Sequence, residues 1–566
     1  MKMNSIMTFN NKKALLIKNS IMLLFIGLLT FTTTVFATVV PMNANSAVLV
    51  TTTWNGTSWN NGVPTLTSDA VIVGNYTSSG ILVANTLTVN NNAVVVINAG
   101  NTVTLNGALT VVSGSFTLNS NASLIQLQAN AVNTGNIIVK RVSSPLKRLD
   151  YTLWSSPVAN QNVQAFSPAT ISNRFNIYNS VTNAFEPLAN PELNVFNSAV
   201  GYLIRVPNTH PDTIPTSWTG TFTGVPNNGT FTIPVTTNTY NAVGNPYPSA
   251  IDADQFITAN GITEALYFWR KTNNGVNGSY ATYTLAGGVG CDLNDLSNPL
   301  RYTPNGTIQV GQGFVTKATT SSFTFTNAMR VADTRNQFLR VNENRSRIWL
   351  NLTNTSGLYN QMMVAYMPNA TSGIDLAMDG KFFNDNTTSL NSFLNNEEYA
   401  IQAKGLPFVQ TDIVPLTFKV QSAGSYTITL ASFDGLFIPA DQRVLLKDNL
   451  TNAVQDLKAG SYTFEASAGV YPTRFEIRYA NTLATTQNVF TATAVVVIPQ
   501  DQKLLIETGT VPMDTVSVYD ISGKLLLTKS KINATTTSIA VGVTHQVVLL
   551  KITSSQNQSV VKKVML

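Results

Sequence analysis

The chain has 566 residues, 44% of them apolar and only 11% charged, with two histidines and one cysteine. That balance excludes a disordered chain, which is charge-rich and apolar-poor, and the lone Cys291 excludes an internal disulfide framework. The formal charge of +6 is no sign of nucleic-acid binding, because Lys2, Lys12, Lys13 and Lys18 lie in a leader; without residues 1–37, 30 basic residues face 28 acidic ones.

In residues 20–37, "SIMLLFIGLLTFTTTVFA", an apolar run follows those lysines and ends with Val35 and Ala37 at the small-residue positions. This predicts a secretory signal peptide over 1–37. No later stretch has the ~20 unbroken apolar residues of a spanning helix, so no integral membrane span is expected once the signal is removed.

Residues 38–145 repeat. Leu87 returns as Leu109, Val95 as Phe116, Val103 as Leu124 and Phe116 as Ile137, at 21–22 residues each, with Gly100, Gly107 and Gly114 at the turns. Three short strands per coil at that period predict a β-solenoid. The opening "TTTWNGTSWNNGVPT" (51–65) is expected to cap its first coil, because an end coil cannot leave its strands open. Residues 146–338 carry short aromatic strands broken by Pro, Gly and Asn, as in "RLDYTLWSSPV" and "YNAVGNPYPSAID". One or two sandwich-like units are expected there. Residues 339–480 hold seven or eight apolar segments at sandwich spacing, residues 481–488 are a polar linker, and 489–566 give seven more segments with seven lysines against four acids. The fold class is therefore all-β: an N-terminal solenoid-like repeat, then β-sandwich domains, then a small C-terminal Ig-like sandwich.

Within the last segment, "VSVYDISGKLLLTKS" (516–530) reads as a hairpin. Asp520 and Gly523 fit the first and fourth positions of a type I turn closed by a glycine bulge. Val516 and Val518 then share one face, opposite Thr515, Ser517 and Tyr519.

Catalytic chemistry is scarce. From residue 70 to 139 there is no Asp, Glu, Lys, Arg or His, so these coils cannot supply the paired carboxylates of a glycosidase or the base of a lyase. His210 and His545 lie in different segments, which disfavours a histidine triad or a His-rich zinc site. Cys291 is expected to be a buried thiol. Asp292, Asn294 and Asp295 form an irregular Ca²⁺ candidate, but Leu296 breaks the EF-type ligand spacing, and Asp379, Asn384 and Asp385 are a second weak one. Turn formation explains both groups as well. No other cofactor is expected. Tyr247, Tyr267 and Trp269 could stack on sugar if exposed, or fill a core. The enzymatic alternative is a polysaccharide hydrolase or lyase with its site in 146–338, drawing on Asp252, Asp254 or Glu264.

The most specific signal is "VSVYDISGKLLL", then "INATTTSIAVG", then "QVVLLKIT", then the terminal "VVKKVML". Together these resemble the C-terminal sorting domains of proteins exported by the type IX secretion system of Bacteroidota, in a type C-like or type A-like form. Gly542 is followed by Val543-Thr544-His545 where the commonest version has Gly-x-Tyr. The sorting positions that the resemblance implies are Val518, Asp520, Gly523, Gly542, Lys562 and Lys563. Residues 341–480, with "IWLNLTN" and "EYAIQAKGLPF", look like the domain that often precedes a type C signal. Asp212-Thr213-Ile214 and Asp514-Thr515-Val516 match the O-glycosylation pattern of that phylum. The resemblance implies a cell-surface or secreted protein that reaches the extracellular face through the periplasm. Its partners would be the translocon and an outer-membrane shuttle protein. A surface glycan or polysaccharide is a further candidate partner, nucleic acid is not, and the role expected of the body is adhesin-like or structural.

Overall fold

A computed structural model describes residues 50–270, 277–291, 303–332, 345–384, 386–480, 490–500, 503–543, 546–555 and 557–566. The expected signal peptide and linker, and with them Asp292, Asn294, Asp295, Asp385 and His545, lie outside the described residues.

The molecule is all-β, and it begins as a three-faced solenoid. Strands β1 (Val50–Trp54), β2 (Ser68–Ile72), β3 (Tyr76–Thr77), β4 (Leu82–Ala84), β5 (Leu87–Val89), β6 (Val94–Ile97), β7 (Thr102–Leu105), β8 (Leu109–Val111), β9 (Ser115–Leu118), β10 (Ser123–Gln126) and β11 (Ile137–Val142) wind in turn through its faces. The faces are β1-β2-β5-β8, β3-β6-β9-β11 and β4-β7-β10, all paired in parallel. The registers reproduce the sequence period: Leu87 opposes Leu109, Val95 opposes Phe116, and Val103 opposes Leu124. These inward side chains are fully buried, which removes from water the apolar surface that the alternation collects on one side of each strand. Corners are made by Asn91, Asn92 and Asn121 in the left-handed region, and by Gly114 at φ +93°, where a Cβ would lie 2.1 Å from the Ala93 carbonyl oxygen.

The solenoid does not end at a free edge. Strand Thr219–Pro226 of the second segment lies antiparallel on β11 and seals the parallel stack. Its Phe222 joins Trp154, Phe166, Phe196 and Tyr202 in the same core as the coil residues. Gln126 and Asn133 exchange two hydrogen bonds of 2.8 Å, and Asn133 Nδ2 donates onward to the Pro226 carbonyl. Solenoid and second segment therefore share one core.

The second segment adds a four-stranded antiparallel sheet (Tyr151–Trp154, Tyr202–Arg205, Phe175–Asn179, Ala184–Pro187) and a five-stranded one (Tyr240–Gly244, Gly313–Lys317, Leu266–Trp269, Tyr280–Thr284, Gly287–Val289). Helix Ala253–Ala259 starts where the Asp252 carboxylate accepts from Gln255 N–H. It lays Phe256 and Ile257 against Phe314, Phe323 and Phe325.

Residues 346–478 form one eleven-stranded sheet. Phe464, on the strand at one end of its order, packs on Phe475 and Phe418 from strands near the other end, so the sheet curls into a sandwich over its core. Strand Tyr359–Met367 is buried along its whole length, because Met363 and Ala365 on its outer side pack against Ala286 and Val289 of the second segment. Residues 490–566 form a separate small sandwich of a three-stranded and a four-stranded sheet. Its core contains Leu504, Val516, Val518, Leu550 and Ile552.

Candidate functional site

The second segment displays an aromatic strip on its outer surface. Tyr178 meets Phe185 at 5.0 Å between ring centroids, Phe185 meets Trp269 at 6.0 Å, and Trp269 meets Tyr280 at 5.2 Å. Tyr280 meets Phe383 at 5.2 Å, and Phe383 meets Tyr240 at 4.5 Å. All six rings are half-buried on a floor of Leu153, Leu203, Tyr267 and Val315. Strand alternation explains the placement: Leu266 and Phe268 turn into the core beneath, while Tyr267 and Trp269 turn to the other face. Phe383 arrives from the third segment, where the side-chain amide of Asn384 bonds both the N–H and the carbonyl of Tyr280 and pins the loop.

The polar groups along the strip are held in fixed positions. Trp269 Nε1–H donates to the Tyr151 carbonyl at 3.1 Å. Tyr240 O–H donates to Glu264 at 2.8 Å, and Lys317 Nζ donates to the same carboxylate at 2.9 Å. Burial pushes the Tyr178 phenol up to about 12. Burial, then the neighbouring Glu264 carboxylate, raises Tyr240 further. Both phenols are thus neutral at physiological pH. At one end, hydrogen bonds from Asn179 and Thr182 hold the exposed Glu186 carboxyl below its usual range.

Of the sugar-stacking candidates, only Trp269 has an accessible face. Tyr247 and Tyr267 are 0% exposed, so neither can stack on sugar. Tyr247 donates its hydroxyl to the Gly229 carbonyl, and Tyr267 lies under Phe383 at 4.3 Å. Both are core residues: Tyr247 because the turn "GNPYPSA" folds inward, and Tyr267 because Phe383 covers its place on strand Leu266–Trp269.

The candidate acids have structural partners. Asp252 caps the helix, Asp254 accepts from Tyr283 O–H at 2.8 Å and faces Arg345 at 3.7 Å, and Glu264 carries Tyr240 and Lys317. Asp252 and Asp254 line a surface groove with Gln255, Thr258 and Met329. Asp379 is buried and accepts from Asp375 N–H and Ala403 N–H. Among the described residues there is no group of three His, Cys, Asp or Glu side chains placed to hold a metal. His210 is buried, with Nε2 between the Leu146 and Thr216 carbonyls, and Cys291 is buried.

In the terminal sandwich the hairpin has the predicted turn. Asp520 Oδ1 accepts from Ser522 N–H, Ser522 O–H and Lys524 N–H, and Gly523 takes φ +86°. These bonds lower the Asp520 pKa, the Ser522 hydroxyl foremost. Val518 is core, and Gly542 is exposed in open space. Lys562 lies on the inner side of the last strand, where burial lowers its pKa, and Lys563 lies outside, opposite Leu549. Val518, Asp520 and Gly523 lie in one hairpin, and Val518 and Lys562 stand opposite Leu550 from the two strands beside it.

The fold defines a modular all-β protein: a solenoid fused to sandwiches, followed by a small terminal sandwich. The chain belongs to the family described as Domain of unknown function (DUF8693), which matches residues 47–479. A second family description, Domain of unknown function (DUF8694), matches residues 483–566. No curated protein matches the chain. Among solved structures it is similar to a two-fibronectin type-III-domain segment from chicken tenascin at 10% identity and TM-score 0.12, over 28% of this chain and 98% of that one. A TM-score that low carries no argument. Among the described residues no helix is long and apolar enough to cross a membrane.

Proposed function

We propose that this chain is an exported cell-surface or secreted binding protein. Its body contacts glycan through the strip centred on Trp269, and its terminal sandwich is the export address. The observation that carries the binding role is the strip itself. Six half-buried rings in contact, with neutral phenols and fixed polar groups beside them, offer the stacking faces and hydrogen-bond partners that sugars use. The export role is supported by the hairpin and lysine-bearing last strand of 490–566, which forms a core of its own. A type IX translocon and its outer-membrane shuttle protein would read this domain, whose seven lysines against four acids contrast with the near balance of residues 38–488, where 23 basic residues face 24 acidic ones.

Glycan-array binding of the purified chain to at least one glycan, retained in a surface variant remote from the strip and weakened in Trp269→Ala, is the expected result. Unchanged binding in Trp269→Ala would refute the strip. Turnover of a polysaccharide, abolished by Asp254→Asn, would replace the binding role with the enzymatic one. Deleting residues 489–566 should leave the protein in the periplasm, and normal secretion of the truncated chain would sink the export role.

A further inference from the structure

We infer that the first coil of the solenoid carries a second binding site, for a neutral glycan, built around Trp54, Trp59 and Tyr76. Trp54 ends β1, and Tyr76 opens β3. Each belongs to the first strand of its face, so no further coil of the described residues stacks on them. The antiparallel bridge between Trp54 and Trp59 folds the intervening turn back over this end. Ring centroids lie 5.6 Å apart for Trp54 and Trp59, 5.3 Å for Trp54 and Tyr76, and 6.2 Å for Trp59 and Tyr76. The inner sides of the rings pack on the solenoid core, yet all three stay partly exposed. A cap serving only to close the coil would hide these rings, as Phe222 is hidden at the other end.

The surrounding polar groups are oriented and half used. Asn55 Oδ1 holds its own turn by accepting from Thr57 and Ser58, Asn60 Oδ1 accepts from Thr53 N–H, and Asn75 Oδ1 accepts from Val94 N–H. Those bonds fix three exposed side-chain amides while leaving their Nδ2 donors free among the described residues. Asn61 is the converse, donating to the Thr51 carbonyl with its Oδ1 open among the described residues. Trp54 Nε1 is bound to the Asn75 carbonyl, and Trp59 Nε1 has no partner among the described residues. The platform is pre-organised, and ordering it on binding loses little entropy.

Charge decides the class of ligand. Residues 50–68 hold no charged side chain. Asp69, the first, has its carboxylate taken by Asn85 and Thr86, and none follows up to residue 139. With no cation to meet a carboxylate, sulfate or phosphate, the site does not fit acidic polysaccharide or nucleic acid. Aromatic faces with amide donors and acceptors fit the apolar faces and hydroxyls of uncharged sugar units. This site stands independently of the Trp269 strip.

The test is affinity electrophoresis of the full chain through gels containing a soluble β-glucan, α-glucan, galactan or mannan, with polygalacturonate as the acidic control. At least one neutral polymer should retard the chain, to the same degree at low and high salt. Trp59→Ala should weaken this by about tenfold, the effect of one lost stacking contact, while Trp59→Phe retains most of it. Unchanged thermal unfolding shows that the cap is intact in both variants. Should Trp59→Ala unfold the cap, quenching of tryptophan emission by the polymer in the Trp269→Ala chain replaces it. Retardation by polygalacturonate alone, by no polymer, or equally in Trp59→Ala would overturn the inference. So would binding lost in Trp269→Ala and kept in Trp59→Ala, which assigns all recognition to the strip.

Discussion

Arg330 is the clearest point at which one side chain joins the solenoid to the rest of the body. It is 6% exposed, and among the described residues no carboxylate is one of its hydrogen-bond partners. Nη2 donates to the carbonyl of Leu124 on the last β4-β7-β10 strand at 2.6 Å, Nη1 to Asn228 at 2.8 Å, and Nε to Ser249 at 3.1 Å. The guanidinium lies 4.8 Å over the Tyr247 ring. Burial lowers its pKa to about 9, so it remains a cation at neutral pH. Each bond from a charged donor contributes about 1.5–3 kcal/mol, and the ring contact adds about 1–2 kcal/mol. Against these stands the desolvation of the guanidinium, several kcal/mol. Arg330→Ala removes both sides of that balance but strands the Leu124 carbonyl and leaves a cavity, for a net loss of about 3 kcal/mol. Arg330→Lys keeps the charge without the planar fork and should lose about 2 kcal/mol. Equilibrium urea unfolding followed by tryptophan fluorescence measures both. A loss below about 1 kcal/mol in both variants would show that the staple is not what joins the segments.

Two glycines separate strain from crowding. Gly114→Ala combines a left-handed φ with a Cβ 2.1 Å from a backbone oxygen, and should destabilise the solenoid by more than about 3 kcal/mol, read as loss of β circular dichroism and rapid proteolysis. Gly523→Ala has φ +86° but open space around it, so the terminal sandwich should lose only about 1 kcal/mol by thermal melting. Asp448 is fully buried against Arg474 at 3.0 Å. Burial alone would raise its carboxyl, but hydrogen bonds from Arg474, Leu450 N–H and Tyr462 hold it below the usual range. Asp448→Ala leaves Arg474 uncompensated and should remove about 3–5 kcal/mol in denaturant titration. Burial pushes the Asp379 carboxyl up to about 6, against two backbone hydrogen bonds that lower it. Its folded pKa then exceeds its unfolded value of about 4. The folded state therefore holds the extra proton in that window, and stability falls by up to about 3 kcal/mol as pH rises from 4 to 6. A wild-type stability profile that rises over that window, with no relative change in Asp379→Asn, would refute the assignment.

What the sequence determined by itself is what depends on neighbours along the chain. The 21–22-residue return of apolar pairs sets the register of Leu87 on Leu109 and Val103 on Leu124, because each coil repeats the same alternation and one slipped residue would turn every side chain outward. Asp520 and Gly523 specify their turn within four residues, since the carboxylate bonds its own backbone and glycine accepts the positive φ. Tertiary structure alone decided which aromatics are accessible. Tyr247 and Trp269 read alike in sequence, but Arg330 and Gly229 enclose the first, while the second stays on a face that Phe383 extends from more than 100 residues away. The sealing of the solenoid by Phe222 and the reach of Arg330 to Leu124, 206 residues apart, are long-range contacts of the same kind. Such contacts leave no periodic trace, because packing fixes them through shape and burial, and neither is encoded in the spacing of adjacent residues.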